Sequence, residues 1–224
     1  MPAATVDVRQ PAARGRRRPS RRPDLVRAAA ELFSERGYGA TTVDDVGARA
    51  GVSGPAVYWH FPSKEALLAA MLTDISDRLL EGGRRCVSDA RDAADALAGL
   101  VRWQVRFALE HPELITVHAR ELVHLAPAAH QRVRRTQRRY VELWVDTLGV
   151  LGPGMPETHR RTAAHAAIGL INSTPYLGDG LSDEEMERLL TSMALAALAR
   201  AVDLTPDPDG DFTPDPAGDE GGDR

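Results

Sequence analysis

The chain lacks several features that would each have pointed to a different kind of protein. Among its 224 residues there is one cysteine, Cys86, so no internal disulfide can form and zinc sites built on two or four cysteines are excluded. Aromatic residues make up only 5% of the sequence and alternating apolar runs are missing, which argues against a β-sheet architecture. No stretch approaches the roughly 18 consecutive apolar residues of a membrane span. The first 22 residues are basic but have no apolar core of the kind a secretory signal needs. These absences lead to the expectation of a soluble, cytoplasmic protein with no metal, no cofactor and no membrane contact.

What is present is helical in character. Ala, Leu, Arg and Glu dominate, and 43% hydrophobic residues are enough for a sizeable core, so the fold class expected is all-α. The net charge of −4 conceals an asymmetry. Eight arginines lie between Arg9 and Arg27 against one acid, Asp24, whereas "DLTPDPDGDFTPDPAGDEGGDR" at the other end holds eight acids and many prolines and glycines. Segments of that composition bury too little apolar surface to offset the entropy of ordering, so residues 1–22 and 205–224 are expected to be disordered tails.

Periodicity and punctuation divide the rest. Leu25, Ala28, Ala29, Leu32 and Phe33 recur at helical spacing and Gly37 stops the run. Thr42 is placed to cap a short helix whose third position is Asp45 and whose end is Gly51. Ser53 is placed to cap another, with Pro55 in its first turn and Pro62 just past it. Ser63 opens a longer helix expected to run to about Leu80, before Gly82 and Gly83. Two very short helices joined by a tight glycine turn make a helix-turn-helix, here assigned to residues 23–70. Residues 71–204 then form a helical bundle, with helices expected over Ala90–Glu110, Pro112–His124, Pro127–Leu151, Pro156–Ile171 and Ser182–Val202. The last two, rich in small apolar residues, suit close helix packing, either within one bundle or, if the protein binds DNA as a dimer, against a second copy of the chain.

The stretch "GVSGPAVYWHFPSKEALL" carries the functional reading. A recognition helix must bring its N-terminal part to base edges, and Ser53, Gly54, Pro55 and Ala56 are all small. Tyr58 and His60 follow where a phenol or imidazole can donate to phosphate, and Lys64 adds charge beside them. Val57 and Phe61, four apart, are expected to face inward. Trp59 is either a core wedge or a contact to the DNA backbone.

These residues resemble the DNA-binding segment of the tetracycline-repressor (TetR) family of bacterial transcription regulators, over about residues 24–72. The resemblance implies an all-helical homodimer with two N-terminal DNA-reading units and a C-terminal region for effector binding and dimerisation, a repressor of a palindromic operator until a small molecule binds. Carried over by position, the DNA contacts fall on Thr42, Ser53, Gly54, Pro55, Tyr58, His60 and Lys64. Position 54 often carries a base-reading side chain in the family, and here that side chain is absent.

The effector is less legible. Trp103, Phe107, His118, Leu122, Trp144, Asn172 and Tyr176 put aromatic and polar groups among apolar positions of the central helices, either as a pocket lining or as a core with satisfied polar tips. The stretch from Arg106 to Trp144 is similar to actinobacterial members of the family linked to fatty-acid or acyl-CoA metabolism, which implies a hydrophobic effector such as a fatty acyl-CoA. The alternative is a drug or other small molecule controlling an efflux or catabolic operon. Arg132, Arg134, Arg135, Arg138 and Arg139 form either a solvated helix face or a surface for an anionic ligand.

An enzyme is disfavoured. His118 and His124 are six apart rather than four, no Glu follows His118, and "GVSGP" departs from the G-x-S-x-G nucleophile elbow with no strand before it. A purely architectural DNA binder would bind in a salt-sensitive, nearly sequence-blind way, whereas a regulator prefers one palindrome.

Overall fold

The computed structural model describes residues 21–178 and 180–203. The expectations for the basic N-terminal and acidic C-terminal tails lie outside these residues, except that Arg21 is described and Arg22 already begins the first helix. The described residues form helices without strands: α1 (Arg22–Arg36), α2 (Val43–Arg49), α3 (Gly54–Tyr58), α4 (Lys64–Ser88), α5 (Ala93–Glu110), α6 (Pro112–Arg120), α7 (Pro127–Leu151), α8 (Glu157–Ile171) and α9 (Asp183–Asp203), with short 3-10 turns at Leu122–His124 and Thr174–Tyr176.

Helices α1 to α3 and the start of α4 enclose a small core of Leu25, Ala29, Leu32, Phe33, Val46, Val57, Phe61 and Leu68, all at most 2% exposed. Val57 and Phe61 thus face inward as their spacing predicts. The Thr42 capping box forms as expected: Asp45 N donates to Thr42 Oγ1 at 3.1 Å and Thr42 N donates to Asp45 Oδ2 at 2.8 Å. Gly51, with φ of 68°, occupies the left-handed region that ends α2 and turns the chain into α3. Ser53 precedes α3 but its side chain makes no capping bond. The reason is local: Pro55 has no N–H, and Ala56 N donates instead to the Ser53 carbonyl at 2.9 Å, leaving the hydroxyl to solvent.

The C-terminal bundle packs α4 against α5 and α7, α5 against α9, and α8 against α7 and α9. Helix α4 overrides the expected stop near Leu80 and runs on to Ser88. Gly82 and Gly83 lie inside it as contact points: the Trp103 indole packs where a Cβ at Gly82 would stand, and the Tyr140 ring does the same at Gly83. Close packing of two large rings outweighs about 1 kcal/mol of helix propensity per glycine. The expected helix from Pro112 to His124 breaks at Arg120, because Glu121 turns inward to accept from Tyr38 N at 3.3 Å.

That bond belongs to the junction between the two parts. Glu121 Oε2 lies 3.3 Å from His124 Nε2, and the His124 ring stacks on Tyr38 with centroids 4.8 Å apart. The Tyr38 hydroxyl donates to Glu65 Oε1 at 3.0 Å, and burial together with that carboxylate pushes its pKa up to about 12. Elsewhere α1 packs on α6.

Candidate nucleic-acid interface

Helix α3 is five residues long, enough to present one face and no more. On that face Pro55 and Ser53 are exposed, Tyr58 is 53% exposed and Trp59 is 88% exposed. An indole so fully in water beside a phenol is a costly surface unless it meets a partner, which decides between the two readings of Trp59: it is not a core wedge. The double aromatic in the sequence is the available signal, and it alone leaves Trp59 open between the two readings. Thr42 is exposed at the start of α2 on the same part of the molecule, its hydroxyl donating to Asp45 Oδ2 at 2.6 Å. His60 is half-buried, and its carbonyl accepts from Arg22 at 3.3 Å.

Lys64 is placed differently from the expectation. Its ammonium donates to the carbonyls of Tyr38 at 2.9 Å and Thr41 at 2.8 Å and lies 4.3 Å from the centre of the Tyr38 ring. It therefore braces the loop between α1 and α2 from behind.

Replacing Tyr58 with Phe is expected to weaken binding to all DNA sequences by roughly 3- to 10-fold, the worth of one hydrogen bond, without altering the salt slope, since a phenol carries no charge. Titrations at several salt concentrations check this, and unchanged affinity would remove the hydroxyl from the interface.

The seven residues read as effector contacts do not form one lining. Tyr176 is 67% exposed at a 3-10 turn. His118 packs against Gln137 across α6 and α7, and Leu122 is half-buried beyond α6. The other four lie within the bundle. Trp103 Nε1 donates to the Leu79 carbonyl at 3.2 Å, and its ring centre is 6.3 Å from that of buried Phe107. Asn172 Oδ1 accepts from Gln104 Nε2 at 2.8 Å, and Gln104 Oε1 accepts from the Tyr140 hydroxyl at 2.8 Å. Trp144 is fully buried edge-on to Tyr140, and its Nε1 finds no acceptor in hydrogen-bonding geometry. Gln104 and Tyr140 are the residues that sequence reasoning missed. The signal for Gln104 was an amide on the otherwise apolar stripe Leu97, Leu100, Val101, Val105 and Ala108.

Burial, helped by the positive charge of Arg134, lowers the pKa of His118 from 6.5 to about 4. A lowered folded-state pKa means that the unfolded chain binds the extra proton first as pH falls. His118 thus costs nothing above its unfolded pKa and drains stability between pH 6.5 and 4, by roughly 3 kcal/mol in all. Denaturant titrations at pH 7 and 4 should give a smaller drop for His118→Gln, and equal drops would reject this assignment.

An open groove of about 990 Å³ lies between α1, α4 and α6, lined by Val26, Ala70, Met71, Ile75, Arg78 and Leu114 among others, but by none of the seven. Arg134, Arg135, Arg138 and Arg139 are exposed on α7 and form no ion pair with a described residue, while Arg132 lies 3.5 Å from Asp77. Among the described residues no group of His, Cys, Asp and Glu is placed to hold a metal ion, and no helix is long and apolar enough to cross a membrane.

Residues 25–71 match the family model described as bacterial regulatory proteins, tetR family, and residues 90–198 match that of a tetracyclin repressor-like C-terminal domain. The transcriptional repressor KstR2 of Mycobacterium tuberculosis is 32% identical over 145 residues, which cover 63% of this chain and 70% of KstR2. The chain belongs to the TetR family. It is accordingly a DNA-binding transcriptional regulator and not an enzyme, as its sequence implies. The transcriptional activator FasR of Mycolicibacterium smegmatis is 41% identical over 90 residues, 39% of this chain and 41% of FasR. In structure, the ketosteroid transcriptional regulator KstR2 of Mycobacterium tuberculosis superimposes with a TM-score of 0.69 at 24% identity, covering 80% of this chain and 95% of that one. AibR, solved in complex with isovaleryl coenzyme A and operator DNA, gives 0.67 at 19%, covering 78% and 97%. At such identities both structures bear on the fold, which is the TetR-type arrangement of an N-terminal helix-turn-helix and a C-terminal helical region.

Proposed function

We propose that the protein is a repressor that binds a palindromic operator as a homodimer, through residues 23–70, and leaves it when a small hydrophobic effector such as a fatty acyl-CoA binds within residues 71–204. The observation that carries the DNA part is the exposed Tyr58–Trp59 pair at the end of a five-residue helix opened by Ser53, Gly54 and Pro55. Thr42, Ser53, Pro55, Tyr58 and His60 act from the surface, Gly54 by admitting close approach, and Lys64 by bracing the loop before α2. Trp59 joins them as a backbone contact.

The effector part rests on the Asn172–Gln104–Tyr140 line beside Trp144, whose buried N–H lies beside the Tyr140 hydroxyl without well-formed hydrogen-bonding geometry and could turn to a carbonyl or thioester oxygen. Trp103 and Phe107 give it apolar flanks. AibR, with its isovaleryl coenzyme A, favours an acyl-CoA. KstR2, a ketosteroid transcriptional regulator, favours a second reading in which the effector is steroid-derived.

The test is binding to the intergenic DNA beside the protein's own gene at fixed salt, alone and with palmitoyl-CoA or a steroid carboxylate. Tight selective binding released by palmitoyl-CoA is expected. Release by the steroid alone selects the second reading, and binding without sequence preference rejects the operator.

A further inference from the structure

The absence of a side chain at position 54 has a structural counterpart. A Cβ built on Gly54 would overlap the carboxylate of Asp44, with Oδ1 as its nearest neighbour. The first residue of the recognition helix is thus bare, and an acid from the neighbouring helix occupies the space in front of it. Asp44 is in the first turn of α2 and is exposed.

Its lack of a partner among the described residues singles it out. Every other described acid between residues 21 and 65 is engaged: Asp24 with Arg27, Glu31 and Glu35 with Arg49, Asp45 with Thr42, and Glu65 with Tyr38. Asp44 makes no hydrogen bond and no ion pair among the described residues. On a surface that must approach phosphates, an unpaired carboxylate is repelled unless it meets a donor. The major groove offers few. Guanine presents O6 and N7, both acceptors, and thymine presents O4 and a methyl group. Adenine pairs its N6 donor with the N7 acceptor, which repels a second lone pair. Cytosine N4–H₂ is the donor that suits a carboxylate.

We infer that Asp44, seated in the space left by Gly54, reads a cytosine in each half-site of the operator. Gly54 serves this by leaving room for a side chain as short as aspartate to reach past it from α2. The base reading moves from α3 to α2, and its sense is set by charge: the carboxylate rewards one base and penalises acceptors. This rests on the operator-binding reading proposed above.

The experiment is selection of operators from a library with randomised half-sites, using the full chain and the variants Asp44→Ala, Asp44→Asn and Gly54→Ala. The wild type is expected to select cytosine at one position of each half-site, discriminating by roughly 5- to 150-fold against guanine or thymine there. Asp44→Ala should lose that preference alone, while the remaining positions keep theirs and affinity for random DNA stays or rises. Asp44→Asn should turn the position toward adenine, whose N6 and N7 match an amide. In Gly54→Ala the new methyl displaces the carboxylate, so the same position should relax. A thermal melt of each variant separates these effects from misfolding. If Asp44→Ala leaves every position unchanged and only raises affinity uniformly, the acid is a solvated helix-start charge and the inference is overturned. If the wild type itself selects no palindrome, the operator reading fails and this inference with it.

Discussion

Gly83→Ala is expected to destabilise the protein by about 2 kcal/mol, even though alanine is the better helix former by about 1 kcal/mol. The added Cβ would stand 2.7 Å from Tyr140 Cε2 and 3.0 Å from Leu143 Cδ1. Neither neighbour can yield easily. Tyr140 is 5% exposed, and its hydroxyl is committed to Gln104, which is bonded in turn to Asn172. Relief requires α4 and α7 to separate or the ring to leave its bond, and either costs more than the propensity gain. A domain of this size should melt roughly 4–8 °C lower. A raised melting temperature would mean that the α4–α7 contact is looser than it stands here.

Lys64→Met comes second. Two carbonyls, those of Tyr38 and Thr41, lose a charged donor, and the loss should amount to roughly 2–3 kcal/mol of stability. The loop they belong to leads directly into the Thr42 cap, so operator affinity should fall at least about 10-fold as the start of α2 loosens. The salt slope decides the mechanism. Had Lys64 contacted a phosphate, its removal would lower the slope by about 0.9 for each subunit. A bracing role leaves the slope unchanged. Lys64 is the one lysine in a chain with 27 arginines, and the geometry gives a reason: a compact ammonium fits between two carbonyls and a ring face where a planar guanidinium fork does not. Lys64→Arg should therefore restore the charge without restoring the stability.

Much of the architecture was legible because local chemistry dictated it. The Thr42–Asp45 box, the Gly51 turn and the span of α7 from Pro127 to Leu151 each follow from residues adjacent in sequence. The misreadings share a cause, which is contact between residues far apart in the chain. Gly82 and Gly83 read as a stop because nothing nearby in sequence announces that Trp103 and Tyr140 will pack on them. The bracing role of Lys64 was hidden in the sequence because its two acceptors lie 26 and 23 residues away. In the candidate interface the exposed face was legible down to Tyr58, and what Gly54 makes room for was not, since Asp44 reaches it across a turn. The bundle interior was the least legible, because a glutamine in an apolar stripe does not reveal whether its partner is a second side chain or a ligand.

The contact of Tyr38 with Glu121 and His124 bears on how the molecule comes apart. A helix-turn-helix unit of about 45 residues has too small a core to persist alone under mild stress. Here its loop is tied to the end of α6 by a backbone N–H held at 3.3 Å, by a stacked ring pair and by the packing of α1 on α6. The two parts should therefore open together: amide hydrogens of α1 and of α6 should exchange at matched free energies, in one cooperative event rather than two.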